Sequence, residues 1–439
     1  MASALVRELG RRCLFGRELG AARDAHWTMQ WQSTATIQER QWAQVRACVA
    51  YARQASDFYR GRLAAVHLDG ELTADAFRRI RPLSRQEVVG SGAGIRTSGG
   101  RPGVMRRRSG GSSGDSVQIP LDRGTYRWYT AGTWRGLRWW GADLADRGAV
   151  VLGSGATGVR RLVLGAKDWV MNWLRLPVDE RFDDRLPAMV DRMQRFGPAF
   201  IYGYPSAVHP LAVAVRDRGW RPTHPLKVIA LTGEPVYAFQ RQAIARAFHC
   251  PVVEEYGSGE LGSMGFECPE GSLHVTAENV FLEIVPSDLP ADGAGGPILA
   301  TQLHNRLFPL IRYETGDVGL LRTEPCRCGR GLPTLRVFGR LGDRLEGPGG
   351  TILARPKVEE LFTALPEPLQ GRVQVVHPAP ALLALHVARP VDPARDLGAA
   401  TSAARVVFGP DWRVEAAAVG RLARLVSGKL PYFLRATPR

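Results

Sequence analysis

Apolar positions recur at three- and four-residue spacing across residues 37–63, IQERQWAQVRACVAYARQASDFYRGRL, which predicts one amphipathic helix with a tight Tyr-Arg exit. Residues 104–121 read differently. VMRRR, a Gly/Ser run and the alternating SVQIPL predict a strand, a tight loop and a second strand. Asp122 then caps a helix rich in Trp and Tyr that reaches about Arg147. In the middle third, the strand-length runs AVVLG, AFIYGYP, KVIALTGEP and PVVEEYG alternate with the helix-length patterns RLPAMVDRMQRF, SAVHPLAVAVRDRG and YAFQRQAIARAF. That alternation predicts an α/β fold with a largely parallel sheet. The turns GYP, TGEP and EYGSGE fall at strand carboxyl ends, where ligands bind in such sheets. From FLEIVP through ILATQL to PLIRYETGDVGLL the pattern is mostly β, and beyond Gly339 it changes to a small α+β unit. The expected organisation is therefore a large mixed and parallel α/β domain over residues 1–339, with a helical lead-in over 1–100, and a small C-terminal domain over 340–439. There is no internal repeat.

Composition narrows the class. The chain has 439 residues, 45% of them hydrophobic and 23% charged, and no apolar run is long enough for a membrane span. The N-terminal MASALVRELGRRCLFGREL is broken by charge too often for a secretory segment, so the chain reads as a soluble cytoplasmic protein with no membrane partner. A formal charge of +16 invites a nucleic-acid reading. However, Lys167, Lys227, Lys357 and Lys429 are the only lysines, and the arginines that make up the rest of the 58 basic residues are spread over every segment. Dispersed arginine reads as a compositional bias rather than a binding stripe, and an anionic small substrate fits better than nucleic acid.

Six cysteines are too few and too uneven for a disulfide framework. Cys13, Cys48 and Cys250 read as ordinary thiols. Cys268 and His274 in FECPEGSLHV, with Cys326 and Cys328 in CRCGRG, form two short pairs that match a closed, structural Cys₃His zinc site. The C-x-C spacing is tighter than the usual C-x₂-C, and three reduced thiols beside an unrelated histidine remain the alternative.

The short motifs carry the chemistry. SGGSSG (Ser109, Gly110, Gly111, Ser112, Ser113, Gly114) has the composition of a flexible linker. Between two strands, the same small residues would let backbone N–H groups and hydroxyls close around phosphate oxygens. There is no G-x-x-x-x-G-K-[ST], so a Walker loop is excluded. LTGEP, EEYGSGELG, PLIRYETGD, FGRLGD and SGKLPYF follow in that order. Together these motifs resemble those of the adenylate-forming enzymes, and within them the phenylacetate-CoA ligase and CapK-like branch, from about residue 35 to the C-terminus.

The resemblance implies roles residue by residue. Ser109 to Gly114 would form the phosphate loop, and Gly233, Glu234 and Pro235 would line the adenine side of the pocket. Glu255, Tyr256, Gly257 and Ser258 would also contact ATP or AMP, with Tyr256 stacked on adenine, as an aromatic face can be. Gly259 would lie near the acyl group. Glu260 would bind Mg²⁺, since one carboxylate plus substrate phosphates is a usual environment for that ion. Asp317 would accept hydrogen bonds from both ribose hydroxyls, which suits an acceptor-only group. Arg340 would contact ribose or phosphate, and Arg312 would either be structural or face the phosphates. Lys429 would bridge the carboxylate and the α-phosphate. The chain departs from the family pattern at Asp115, where a basic residue often stands, leaving Arg106 to Arg108 as the nearby positive charges. It departs again at Gly342, followed by Asp343, at the expected hinge. The implied reaction uses ATP to turn a carboxylic acid into an acyl-adenylate with release of pyrophosphate, and then passes the acyl group to a thiol, by resemblance that of coenzyme A. Tyr202 and Tyr204, with the helix around Trp134, Trp139 and Trp140, could line a pocket for an aromatic acid, although aromatic residues at helical spacing equally suit core packing. An amine or a carrier-protein arm as acceptor, a non-catalytic nucleotide-binding role and a homodimer stay open. The presence of Lys429, Glu260 and Asp317 together speaks against lost turnover.

Overall fold

The structure, a computed structural model, describes residues 2–64, 66, 71–97, 105–108, 118–153, 156–222, 224–287, 295–353, 356–389 and 392–435. It is α/β, as the alternating pattern predicts, and its contacts divide it into two compact units: Met1–Asp143 with Val253–Val337, and Leu144–Val252 with Phe338–Arg439.

The first unit starts with helices. The pattern predicts one helix over 37–63, but the chain forms two, Thr34–Ala55 and Asp57–Arg62. Ser56 makes the break. Its extended backbone (φ −131°, ψ 125°) ends the first helix with an N–H bond to the Ala52 carbonyl, while its hydroxyl accepts from the Tyr59 N–H to start the second. Buried Tyr59 and Leu63 carry the apolar period across the break, which is why the sequence reads as continuous. Ser56→Ala is expected to cost about 1 kcal/mol, as loss of a helix cap does. Urea denaturation checks this, and an unchanged midpoint would remove the cap from the account.

The strands Met105–Arg108 and Gln118–Leu121 pair antiparallel, with Arg108 opposite Gln118, as the 104–121 pattern predicts. Asp122 caps the next helix by accepting from the Thr125 N–H at 2.7 Å. That helix is Arg123–Arg138 and stops well before residue 147. The Leu137 carbonyl accepts from both Trp140 and Ala142 while Gly141 takes φ +75°, so the chain turns sharply although Ala142 and Leu144 continue the apolar spacing. Arg135 on this helix is fully buried and paired with buried Glu278. The strands of this unit lie in the order Val280–Ile284, Gly296–Gln302, Tyr313–Arg322, Thr334–Arg340, Leu273–Val275, Gly262–Glu267, Val252–Ser258.

In the second unit, Val228–Thr232, Phe200–Gly203, Gly148–Val151 and Trp173–Arg175 form a parallel array in that order, with the helices Leu186–Phe196, Pro205–Asp217 and Ala238–Phe248 supplying apolar cover. Its C-terminal part combines strands and helices. The strands run in the order Arg413–Val419, Leu382–Ala388, Val373–Ala379, Phe433–Arg435, with helices Pro356–Ala364 and Pro393–Phe408. Phe362, Val375, Leu385 and Ala404 are fully buried among them. Among the described residues, no helix is long and apolar enough to cross a membrane.

Buried His26 and His209 and half-buried His304 give the fold a pH response. Burial, reinforced at His26 by nearby Arg135, lowers the imidazole pKa to about 3 at His26 and about 4 at His209 and His304. The unfolded chain takes up protons near pH 6.5 that the folded chain refuses, so stability is lost as pH falls from 6.5 toward 4. The urea midpoint is expected to drop steadily between pH 6.5 and 5, and a flat profile there would contradict this.

Candidate active site

In the first unit the YGSGE and RYETGD motifs meet. Val252–Ser258 turns through residues 259–261 into the antiparallel strand Gly262–Glu267, so this segment forms a hairpin rather than a strand-to-helix turn. The Ser258 hydroxyl accepts from the Leu261 N–H at 3.1 Å and closes the turn. Glycine is required at both ends of it. A Cβ on Gly257 would lie 2.6 Å from the Gly262 carbonyl oxygen, and Gly262 adopts φ +73° against the Tyr129 ring. Tyr256 then donates its hydroxyl proton to Asp317 Oδ2 at 2.7 Å. Asp317 follows Gly316 (φ +78°), and its N–H is held by Thr315 Oγ1 at 3.1 Å.

Glu260 is buried in the same hairpin turn. Its backbone carbonyl accepts from Tyr129 Oη at 3.0 Å and Gln302 Nε2 at 3.2 Å, which aims its carboxylate at Arg85 Nη1, 3.3 Å away. Arg85 starts the short helix Arg85–Gly90, and no motif marks it; only the Ser84/Glu87 capping box beside it is visible in the sequence. Glu255 is buried, and its carboxylate accepts from Thr133 Oγ1 at 2.9 Å. Arg312 is structural. It is buried at φ +52°, holds Glu283 at 3.0 Å and donates to the Arg78 and Ile80 carbonyls. Trp134 and Trp139 are also buried in this unit, with indole N–H bonds to Asp143 and Gln30, and this is core packing. Residues 109–114, the expected phosphate loop, and Asp115 lie outside the described residues, as do the side chains of Arg106 to Arg108.

In the second unit TGEP and SGK meet. Gly233 (φ +75°) lies under Lys429: a Cβ there would be 3.2 Å from Lys429 Nζ and 3.1 Å from the Tyr204 ring. Lys429 Nζ stands 5.6 Å from the Tyr204 ring centroid. Glu234 accepts from the Ser206 N–H and hydroxyl, each at 3.0 Å, and from the Leu430 N–H at 2.7 Å, so its carboxylate ties the lysine loop to the helix Pro205–Asp217. Desolvation pushes its pKa up, while these donors and Lys429 pull the other way. Loss of solvent, together with the Glu234 charge, raises the Tyr204 phenol to about 12. Arg424 adds a second clasp, donating to the Gly428 carbonyl at 3.1 Å and the Ser206 carbonyl at 3.3 Å; nothing in the sequence sets it apart, because arginine is so common in this chain. Pro235 and Tyr202 are half-buried. Arg340 is exposed at the end of its strand, its carbonyl accepts from the Asp343 N–H at 3.1 Å, and Gly342 has open space around its Cα.

Cys268, His274, Cys326 and Cys328 come together in the first unit, with one ligand atom from each lying within 4.8 Å of the others. The Cys268 and Cys326 sulfurs are 3.9 Å apart. That is close to the edge of about 3.8 Å expected for a tetrahedron with zinc–sulfur bonds of about 2.3 Å. His274 Nδ1 lies 2.9 Å from the Leu332 carbonyl, which turns Nε2 toward Cys328 Sγ at 3.1 Å. A carbonyl that fixes the ring in this way is the usual outer support of a ligating histidine.

No family model matches the chain. It is similar to a phenylacetate-coenzyme A ligase of Thermus thermophilus, 32% identical over 186 residues that cover 40% of this chain and 41% of that protein. It is also similar to Protein CapK of Staphylococcus aureus, 24% identical over 178 residues that cover 40% of this chain and 39% of that protein. The match thus spans about two-fifths of the length of both relatives. Among solved structures, a 2-hydroxyisobutyryl-CoA ligase in its postadenylation state superposes with a TM-score of 0.74 at 18% identity, over 93% of this chain and 91% of that one. An anthranilate-CoA ligase in complex with anthranoyl-AMP superposes with a TM-score of 0.52 at 17% identity, over 74% and 66%. The chain thus shares its fold with these CoA ligases, and in sequence it is similar to a phenylacetate-coenzyme A ligase and to Protein CapK.

Proposed function

We propose that the protein is an AMP-forming acid–thiol ligase. The observation that carries this reading is the pairing of motifs distant in sequence: Tyr256 with Asp317, and Gly233 and Glu234 with Lys429 and Leu430. The carboxylate of the substrate attacks the α-phosphorus of ATP, the bond to the pyrophosphate oxygen breaks, and an acyl-adenylate forms. The thiol of coenzyme A then attacks the acyl carbonyl, and AMP leaves. In this reading Tyr256 stacks on adenine while its hydroxyl holds Asp317 in place for the ribose hydroxyls. Lys429 supplies positive charge where the carboxylate meets the α-phosphate. Glu234 acts at one remove, through the Leu430 N–H, by holding the loop that carries Lys429. Mg²⁺ would be held by Glu260 together with substrate phosphates and would neutralise pyrophosphate charge. Zn²⁺ would be held by Cys268, His274, Cys326 and Cys328 as a closed structural centre. Residues 340–439 would act as a lid turning at Gly342 and Asp343, where a glycine in open space accommodates a change of backbone angles.

The test is a screen of AMP and pyrophosphate release over aromatic, aliphatic and amino acids, with and without coenzyme A. An aromatic acid that releases pyrophosphate, and that consumes coenzyme A in step with AMP, supports the reading. Release of AMP only with an amine or a carrier-protein thiol would move the acceptor to that class.

A further inference from the structure

The helix Gly158–Met171, GVRRLVLGAKDWVM, turns its apolar side outward. At 100° per residue, Val159, Leu162, Val163, Ala166, Trp169 and Val170 share an arc of roughly 120°. Val159 is 76% exposed, Leu162 73%, Val163 62% and Trp169 47%. The helix is fastened from the opposite face and near its end. Met171 and Asp168 are buried there, and the Asp168 carboxylate accepts two N–H bonds from Arg175 at 2.7 and 2.8 Å. Residues 157–163 are exposed on every side, so the first two turns stand clear of the unit that carries them. With Asp168 occupied by Arg175, the remaining charged side chains of the helix are Arg160, Arg161 and Lys167, all basic.

We propose that this helix docks on an anionic lipid bilayer, with the Val159/Leu162/Val163/Trp169 arc in the interface and its basic residues against the headgroups. A helix with an apolar face carrying Trp and Leu and a basic polar face is the kind that lies in the plane of a membrane surface. Charge complementarity favours this occupant. Arg160 and Lys167 flank one edge of the arc, where anionic headgroups would meet them with opposite charge. A bilayer needs no shape-matched partner, and the formal charge of +16 draws the whole chain toward an anionic surface. Docking of this kind lies on the membrane without spanning it.

Co-sedimentation of the full chain with vesicles tests the proposal, using phosphatidylcholine alone and phosphatidylcholine mixed with phosphatidylserine. The chain is expected to partition onto the mixed vesicles and to come off as salt is raised. Leu162→Asp/Val163→Asp should weaken partitioning by about tenfold or more, from the lost burial of two apolar side chains. Arg160→Glu/Arg161→Glu should weaken it as well. Both pairs are exposed, so an unchanged thermal midpoint shows that the variants fold. The proposal is overturned if the wild-type chain stays in the supernatant, or if Leu162→Asp/Val163→Asp leaves partitioning intact, which would assign it to the general basic surface. Self-association in sedimentation velocity that Leu162→Asp abolishes would also overturn it, by making the arc an interface between copies.

Discussion

Lys429→Ala is expected to lower the rate of acyl-adenylate formation by about 10²- to 10³-fold, the loss typical of removing one preorganised group that offsets charge in a transition state. The chain places this amine with care. Gly428 adopts φ +86° with the Val178 carbonyl too close for any side chain, the Lys429 carbonyl accepts from the Leu425 N–H at 2.8 Å, and the next N–H, that of Leu430, ends on Glu234. The amine is therefore brought to Gly233 and Tyr204 by backbone contacts on both sides of it. Because Lys429 would act at the reacting phosphorus, the defect should fall on the rate, with ATP affinity little changed. Glu234→Gln retains an acceptor for the Leu430 N–H and should lose much less than Glu234→Ala. Equal losses in the two would show that the carboxylate has a role other than holding the loop. Single-turnover measurement of acyl-AMP separates these outcomes, and a Lys429→Ala variant with the wild-type rate would remove the lysine from the mechanism.

The second large effect concerns the Cys/His cluster. The purified chain is expected to carry one zinc ion per molecule, and Cys268→Ala or His274→Ala should abolish binding and lower stability by more than about 4 kcal/mol, the range in which metal-site losses fall. The cluster joins the end of the strand Gly262–Glu267 and the strand Leu273–Val275 to a loop more than fifty residues further on, adding a metal link to backbone contacts such as Val275 N–H to the Pro333 carbonyl. Elemental analysis gives the stoichiometry, and urea denaturation with and without a chelator gives the stability. A metal-free chain whose midpoint no chelator or substitution moves would make the four residues three thiols and a neighbouring histidine.

What could be read from the sequence depended on the range of the interactions. Strands and helices of the middle third follow from local periodicity, and so does the Asp122 cap, because the groups involved are within a few residues. The ends of elements were less legible. At Ser56 one hydroxyl and one N–H divide a helix whose apolar period runs on, and at Gly141 a positive φ turns a chain whose apolar residues continue. The helix Gly158–Met171 has no counterpart in the expected elements; Gly165 lowers its intrinsic helix propensity, and its apolar arc faces outward rather than toward a core. Around the candidate site, motifs pointed to Tyr256, Asp317, Glu260 and Lys429. They could not show that Glu234 reaches Leu430, 196 positions away, or that Arg85 reaches Glu260 across 175, because such pairings belong to the tertiary fold. The fate of Arg312 was hidden for the same reason: its partners, Glu283 and the Arg78 and Ile80 carbonyls, lie outside its motif.

The central claim is that this chain activates a carboxylic acid as its adenylate. The most direct measurement is ATP–pyrophosphate isotope exchange in the presence of Mg²⁺ and each member of a panel of carboxylic acids, without coenzyme A. The account predicts exchange that depends on one class of acid, requires no thiol and is lost in Lys429→Ala. A chain that binds ATP yet exchanges no label with any acid in the panel would contradict it.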